Sequence, residues 1–308
     1  MVDVDTFLTT LYVMVDDFGK TSLPPELLPG PQAALSRSEV VTLAMFGQWQ
    51  GFGSERGFYR YAQRHLRAAF PQLPTREQLN RQMRQHYDAL VSFFLHLVAL
   101  LAAQRCLYEA LDSAGVPTRD AKRRGAGWLP GLADIGWSNR LGWYEGLHLL
   151  MAVNPVGVIT GFGFGPASTK DQPLADTFFA LRHQAHPPLP SVGAPARGSY
   201  VVDKGFEGQA NQARWWQTYG AQVICPPKRK SRRQWPKPLR RWLAGVRQIV
   251  ETVHDKLFHT FRLDRERPHD LSGFRTRLAA KVALHNFCMW LNEHLGRPLL
   301  AFTDLVDW

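Results

Sequence analysis

The chain has 308 residues, of which 45% are hydrophobic, and it carries a formal net charge of +11. This length allows one large domain or two smaller ones, and the apolar content is enough for an ordinary core. The positive charge favours polyanionic partners, mostly nucleic acid, or an anionic membrane surface, and most of the surplus lies between Arg119 and Arg267. The three cysteines are far apart and lack C-x-x-C spacing, which argues against a cysteine-ligated zinc site and favours a reduced, intracellular protein.

The first part of the chain, residues 1–105, predicts a small helical domain. Ser36 and Glu39 have the spacing of a capping box ahead of an apolar run. Two arginine-rich segments, FYRYAQRHLR and REQLNRQMRQ, predict helices that either enter a DNA groove or form a solvated face. The longest apolar stretch, Leu90–Ala103, is interrupted by His96 and too short to span a bilayer, so we expect a buried helix and no membrane contact. The acidic, polar N-terminus predicts no signal peptide, and we expect a soluble cytoplasmic protein.

From Cys106 onward the pattern changes to strands mixed with helices. CLYEALDSAG predicts a strand whose end carries Asp112, and a loop rich in basic residues, glycine and tryptophan follows. Two apolar runs around the turn NPVG predict a β-hairpin. Then come a helix, a strand, a helix, a strand, a long basic helix and a strongly apolar helix. This order predicts an α/β fold, a mixed sheet flanked by helices, over residues 106–296, with a C-terminal tail at 297–308.

Two aspartates end strands of this predicted sheet. Asp112 ends the first strand, and Asp203 ends SYVVD. In open α/β sheets functional groups gather beyond the strand ends, so the two carboxylates meet if their strands are parallel neighbours. Adjacent carboxylates repel each other, and Mg²⁺, which prefers oxygen ligands, removes that repulsion. Either aspartate alone is also an ordinary turn residue.

A third carboxylate would allow two metal ions in one site. Glu251 is the best candidate because it lies on the long basic helix, with Arg247 one turn before it. Asp255, one turn after it, is the alternative third acid. A glutamate among basic residues is also an ordinary salt-bridge partner, so only the three acids together predict a nuclease-like site.

Five segments in this order resemble the DDE transposases of bacterial insertion sequences, whose catalytic domain has a ribonuclease H-like fold. The resemblance covers Tyr108 to Asn292. Within the hairpin it includes an aromatic-x-Gly-x-His pattern at Tyr144, Gly146 and His148. The five segments are LDSAGVP, ADIGWSNRLGWYEGLHLLMAVNPVGVITGF, GPASTKDQPLAD, VVDKGFEG and RQIVET.

The resemblance implies that Asp112, Asp203 and Glu251 are the catalytic acids and hold two Mg²⁺ ions, for which Mn²⁺ can substitute. We place His148 beside the site, without direct contact to the metal. The sequence departs from the family pattern at two positions, where Ala244 replaces a tyrosine and Phe258 replaces a lysine. No DNA-end contact is therefore carried over to these two side chains.

Basic residues surround the predicted acids. Between Lys228 and Arg247 the chain has nine lysines and arginines and no acid, so we expect DNA binding that weakens steeply with salt. Trp235 is a candidate for stacking on an unpaired base, whereas most other tryptophans are expected to be core or cover residues. The predicted DNA contacts are Lys122, Arg123, Arg124, Lys204, Lys228, Arg229, Lys230, Arg232, Arg233, Trp235, Arg240, Arg241 and Arg247.

Together these features predict a metal-dependent DNA transposase. It would bind the terminal inverted repeats of its element, cleave the phosphodiester bonds at the ends and join the 3′-OH to target DNA. Joining two ends implies a homodimer on double-stranded DNA, and the family implies a place in the cytoplasm of a bacterium, associated with the nucleoid. The alternatives are a structure-specific nuclease without strand transfer and a DNA-binding protein derived from a transposase.

Overall fold

The structure, a computed structural model, describes residues 1–26, 33–49, 51–120, 128–182, 198–227, 231 and 234–308. The chain forms two compact units. The first consists of Met1–Leu97, His259–Arg262 and Leu271–Trp308. The second consists of Val98–Phe258 and Leu263–Asp270.

The N-terminal part is helical, as the sequence predicts. The predicted capping box forms at the start of the second helix, where the Ser36 hydroxyl accepts from the backbone N–H of Glu39 and the Glu39 carboxylate accepts from the backbone N–H of Ser36. The apolar stretch that we predicted as a buried helix lies in the helix Tyr87–Leu100, and its side chains Leu90, Phe93 and Phe94 are fully buried. The elements in chain order are β1 Val2–Asp3, α1 Val4–Ser22, α2 Arg37–Phe46, α3 Glu55–His65, α4 Arg76–Gln85 and α5 Tyr87–Leu100.

The second unit contains the mixed sheet and its flanking helices. Its elements are β2 Glu109–Asp120, β3 Asp134–Ser138, β4 Gly142–Val153, β5 Ile159–Pro166, α6 Asp171–Arg182, β6 Ser199–Val201, α7 Gln209–Tyr219, β7 Gln222–Ile224 and α8 Lys237–Asp255. A short 3₁₀ helix, Lys204–Phe206, follows β6 directly.

The strand order is β3-β4-β2-β6-β7, and β5 also pairs with β4. The pairs β2–β6 and β6–β7 are parallel, whereas β4 is antiparallel to β2, β3 and β5. One edge of β4 pairs with β2, and its other edge is shared by β3 and β5. This confirms the predicted ribonuclease H-like mixed sheet flanked by helices.

Two details of the predicted strands are wrong. Asp112 lies inside β2, not at its end, because β4 continues to pair with β2 as far as Asp120. Pro117 interrupts the strand pattern in the sequence, but in the sheet it lies at a register irregularity, where a proline is tolerated. The segment predicted as one long loop also contains β3, which pairs with the start of β4.

The C-terminal region packs with the N-terminal helices, which differs from the predicted division at 106–296 and 297–308. It consists of α9 Leu271–His294 and β8 Val306–Asp307. Most of α9 is buried, and within the first unit Phe287 packs edge-on against Phe7, with 5.3 Å between the ring centroids. Strand β8 pairs in parallel with β1. A helix that is apolar on most of its surface must be buried, and the N-terminal helices α2 and α4 pack against it.

The two faces of the sheet have different roles. Leu111 and Val202 belong to a buried cluster with side chains of α6 and α7. Since successive side chains of a strand point to opposite faces, the next residues, Asp112 and Asp203, lie on the face that carries α8. The contact between Asp112 and Arg247 of α8 agrees with this placement.

Candidate active site

The parallel pairing of β2 and β6 brings the two predicted aspartates together. Their register aligns Glu109 with Tyr200 and Ala110 with Val201. Continuing this register by two residues aligns Asp112 with Asp203. The sheet therefore meets the condition on which the predicted site depended, because the two strands are parallel neighbours.

Asp112 is largely shielded from water, with 15% of its side chain exposed. Burial raises the pKa of its carboxyl from 3.8 to about 7; the charge of Arg247 opposes this rise, and the nearby Asp203 and Asp171 add to it. The Arg247 guanidinium lies beside the group, with 3.4 Å between Nη2 and Oδ1 of Asp112. Two further carboxylates and one guanidinium of the described residues therefore act on the charge of Asp112.

Asp203 is presented by a tight turn. Its Oδ1 accepts a hydrogen bond of 2.6 Å from the backbone N–H of Gly205 and so caps the short helix that follows β6. Lys204 between them is exposed. A methyl group on Gly205 would overlap Oδ2 of Asp171, so the close approach of that carboxylate requires glycine here. The glycine at position 205 therefore serves the packing of Asp171 as well as the turn.

Asp171 is an acid that the sequence did not reveal as a site residue. It opens α6, and its Oδ1 accepts a hydrogen bond of 2.6 Å from the hydroxyl of Ser113, the neighbour of Asp112 in β2. The sequence signal, an aspartate at the start of a predicted helix, is that of an ordinary helix N-terminus, which favours negative charge. Only the sheet shows that this helix start lies next to Ser113 and Gly205.

His148 contacts Asp171. Its ring donates through Nδ1 to the carbonyl oxygen of Thr169 at 2.6 Å, and its Nε2 lies 3.7 Å from Oδ1 of Asp171. In the sheet His148 aligns with Gly115 of β2, three residues beyond Asp112. The aromatic-x-Gly-x-His pattern also has a packing reason, since a methyl group on Gly146 would overlap the backbone of β2.

The third predicted acid, Glu251, is exposed on α8, one turn beyond Arg247. The alternative, Asp255, is also exposed, one further turn along. Within the ranges that the structure describes, no three side chains of His, Cys, Asp or Glu are arranged so that they could hold a metal ion. The structure thus brings together Asp112 and Asp203, with Asp171 behind them, but does not assemble the predicted set of three.

The predicted DNA contacts fall into three groups. Lys204, Arg240 and Arg241 are exposed, and Trp235 is partly exposed. Arg247 is the residue paired with Asp112. The others, Lys122, Arg123, Arg124, Lys228, Arg229, Lys230, Arg232 and Arg233, lie outside the described residues.

One of the two departures from the family pattern has a visible structural role. Phe258 is buried, and the guanidinium of Arg140 lies 3.7 Å from the centre of its ring. Arg140 also donates to the backbone carbonyl of Gly115 in β2 at 3.0 Å. Ala244 is exposed on α8.

A cleft of about 560 Å³ opens beside Asp171 and Gly205. Trp137 and Trp143, cross-strand partners on β3 and β4, line one side of it and are 58% and 69% exposed. His148 lines it as well. Large exposed aromatic side chains next to hydrogen-bonding groups are a common surface for nucleobases.

The family model described as transposase DDE domain matches residues 110–287. The chain belongs to the transposase DDE domain family. The matched region contains Asp112, Asp203 and Glu251, and membership implies DNA binding and an enzyme of the transposase or nuclease kind that acts in transposition and DNA recombination. DDE transposases generally use divalent metal ions.

The searches of curated proteins and of solved structures found no match to the chain. None of the helices in its described ranges is long and apolar enough to cross a membrane.

Proposed function

We propose that this chain is a DNA transposase that binds the terminal inverted repeats of its element, cleaves the phosphodiester bonds at the ends and joins the freed 3′-OH to target DNA. The observation that carries the proposal is the parallel pairing of β2 and β6, whose register, continued past the paired residues, sets Asp112 opposite Asp203. The charge of Asp203 also contributes to the raised pKa of the Asp112 carboxyl. Paired carboxylates at this position of a ribonuclease H-like sheet, in a chain of the transposase DDE domain family, support phosphodiester chemistry.

The donor set fits a hard divalent cation. Asp112 and Asp203 offer carboxylate oxygens, and the raised pKa of Asp112 reflects negative charge that is shielded from water and incompletely balanced. In the proposal Asp112, Asp203 and Glu251 hold two Mg²⁺ ions, with Mn²⁺ as a substitute. When bound, such a pair of ions supplies a nucleophilic water and stabilises the leaving oxygen of a phosphodiester.

The protein's own residues would hold the DNA in place. Lys204 is exposed directly beside Asp203, and Arg240 and Arg241 are exposed on the same helix as Arg247. In the proposal Lys204, Arg240 and Arg241 neutralise phosphates near the acids, and Arg247 moves between Asp112 and a substrate phosphate. Joining two element ends requires two catalytic sites, so the proposed active form is a homodimer on DNA.

One reaction separates the proposal from its alternatives. Purified protein is incubated with labelled element ends, a target plasmid and Mg²⁺, alongside Asp203→Ala and the control Asp304→Ala, which removes an exposed acid of the first unit. Cleavage with joining supports a transposase, cleavage alone a nuclease, and a mobility shift without cleavage a DNA-binding protein. Equal activity of Asp203→Ala and wild type would refute the assignment of the site.

A further inference from the structure

We propose that Asp171 is a positioning residue of the active site. It lies at the start of α6, on the face of the sheet opposite α8, and there it fixes the two segments that carry Asp112 and Asp203. The inference rests on the proposed role of those two aspartates in metal binding. It adds a residue that acts on them through Ser113 and Gly205.

The first contact is to the strand of Asp112. Oδ1 of Asp171 accepts a hydrogen bond of 2.6 Å from the Ser113 hydroxyl, and Ser113 directly follows Asp112 in β2. A hydrogen bond to a carboxylate is stronger than one between neutral groups. Because adjacent side chains of a strand point to opposite faces, holding Ser113 on one face fixes the direction in which Asp112 points on the other.

The second contact is to the turn of Asp203. Oδ2 of Asp171 lies so close to the backbone of Gly205 that a methyl group there would overlap it. The backbone N–H of Gly205 in turn donates to Oδ1 of Asp203 at 2.6 Å. Asp171 therefore packs against the back of the residue that orients Asp203.

The far end of α6 is anchored to the same strand. Arg182, at the end of α6, forms a fully buried ion pair with Glu109 of β2, with 2.7 Å between Nη1 and Oε2. Breaking such a buried pair is costly, so this end of the helix is held firmly. With Arg182 at one end and Asp171 at the other, α6 is tied to β2 on both sides of Leu111 and so gives Asp171 a fixed position.

These contacts indicate a positioning role for Asp171 instead of a metal-binding one. Oδ1 is bonded to Ser113 and faces His148 at 3.7 Å, and Oδ2 is packed against Gly205. Residues that orient metal ligands typically change metal affinity by about 10–100-fold when they are mutated.

The test measures Mn²⁺ binding in the absence of DNA, by the electron paramagnetic resonance signal of the free ion. We expect Asp171→Ala to weaken Mn²⁺ binding by about 10–100-fold. Asp171→Asn keeps the shape and an oxygen that accepts from Ser113, so it should retain most of the affinity. Asp304→Ala removes an exposed acid of the first unit and should bind as wild type does. Circular dichroism and the unfolding temperature of each variant show that it is folded.

A double-mutant cycle tests the contact itself. Gly205→Ala should weaken Mn²⁺ binding in the wild-type background, where its methyl group would overlap Oδ2 of Asp171 and come within 2.9 Å of Oδ1 of Asp203. In the Asp171→Ala background the same change should have a smaller effect, because the overlap with Asp171 is gone and only the approach to Asp203 remains. Additive effects of the two changes would overturn the proposed contact.

Two further outcomes would overturn the inference. Wild-type affinity in Asp171→Ala, with affinity lost in Asp203→Ala, would refute the role of Asp171 and leave the proposed function standing. An equal loss in Asp171→Asn and Asp203→Ala would make Asp171 a metal ligand. If Asp203→Ala binds Mn²⁺ as wild type does, the proposed metal site fails, and the positioning role fails with it.

Discussion

The ionised carboxylate of Asp112 destabilises the folded protein, and this destabilisation can be measured in the absence of metal. Burial raises its pKa from 3.8 to about 7, and the attraction of Arg247 is already included in that shift. At roughly 1.4 kcal/mol per pKa unit, the ionised carboxylate destabilises the folded protein by about 4 kcal/mol relative to the unfolded chain. Asp112→Asn keeps the shape and removes the charge. We therefore expect the metal-free variant to be more stable than wild type at pH 8, by about 2–4 kcal/mol.

The sign of the pH dependence follows from the raised pKa. Below about pH 4 Asp112 is protonated in both states; between about pH 4 and about pH 7 only the unfolded chain releases the proton, so stability falls as pH rises. Above about pH 7 Asp112 is ionised in both states, so its destabilisation of the folded protein no longer changes with pH. The variant lacks this group, so the stability difference from wild type should grow up to pH 7 and then stay level.

Thermal unfolding in EDTA between pH 5 and pH 8.5 measures this difference. Each 1 kcal/mol corresponds to roughly 2–4 °C for units of this size. The exposed Asp304 provides the control, and Asp304→Asn should change stability by less than about 0.5 kcal/mol. If Asp112→Asn is no more stable than wild type at pH 8, or if its stability differs from that of wild type by the same amount at every pH, then the ionised Asp112 does not destabilise the folded protein.

Three other predictions concern DNA contact and the core. Arg241→Gln should weaken binding of element ends about equally for all DNA sequences and lower the salt-dependence slope by about 1, measured by fluorescence anisotropy at several salt concentrations; an unchanged slope would exclude a phosphate contact. Trp143→Ala should weaken binding of single-stranded DNA by about 1–3 kcal/mol, whereas Trp216→Ala, which removes a side chain that is 58% exposed on α7, should not; equal effects would argue against stacking in the cleft. Arg182→Met should destabilise the second unit by about 3–5 kcal/mol in denaturant titrations, because it leaves Glu109 buried and unpaired, and Glu109→Leu together with Arg182→Met should restore much of that loss.

Much of the second unit could be predicted because its apolar runs and turn residues match the strands and turns that form in the sheet. The apolar run in WYEGLHLLMAVN, the apolar run that follows it and the turn at NPVG between them identify β4 and β5. Asp203 could be found because a short β-branched strand ends just before it and a glycine turn follows. The end of β2 was harder to predict. Gly115 and Pro117 are unusual within a strand, yet the segment that contains them pairs with β4 as far as Asp120.

The parts that could not be predicted depend on contacts between distant segments. Asp171 looks like a helix-start residue until α6 is placed against Ser113, 58 positions away in the chain. The packing of α9 with the N-terminal helices could not be predicted either. Its apolar sequence predicts that the helix is buried but does not indicate which segments pack against it. The position of Glu251 relative to the two aspartates depends on how α8 lies on the sheet, which the spacing of acids in the sequence does not determine.

In the proposed reaction the carboxylates of Asp112 and Asp203 drive DNA cleavage. The most direct measurement is the rate of end cleavage in Mg²⁺ by wild type, Asp203→Asn and Asp304→Asn, each at a protein concentration that saturates the labelled DNA. We expect Asp203→Asn to bind the DNA as tightly as wild type but to cleave it at least about 100-fold more slowly, since loss of a metal ligand should exceed the effect of losing a residue that only orients one. Asp304→Asn should cleave at the wild-type rate. Cleavage by Asp203→Asn at the rate of Asp304→Asn would show that Asp203 is not a catalytic residue.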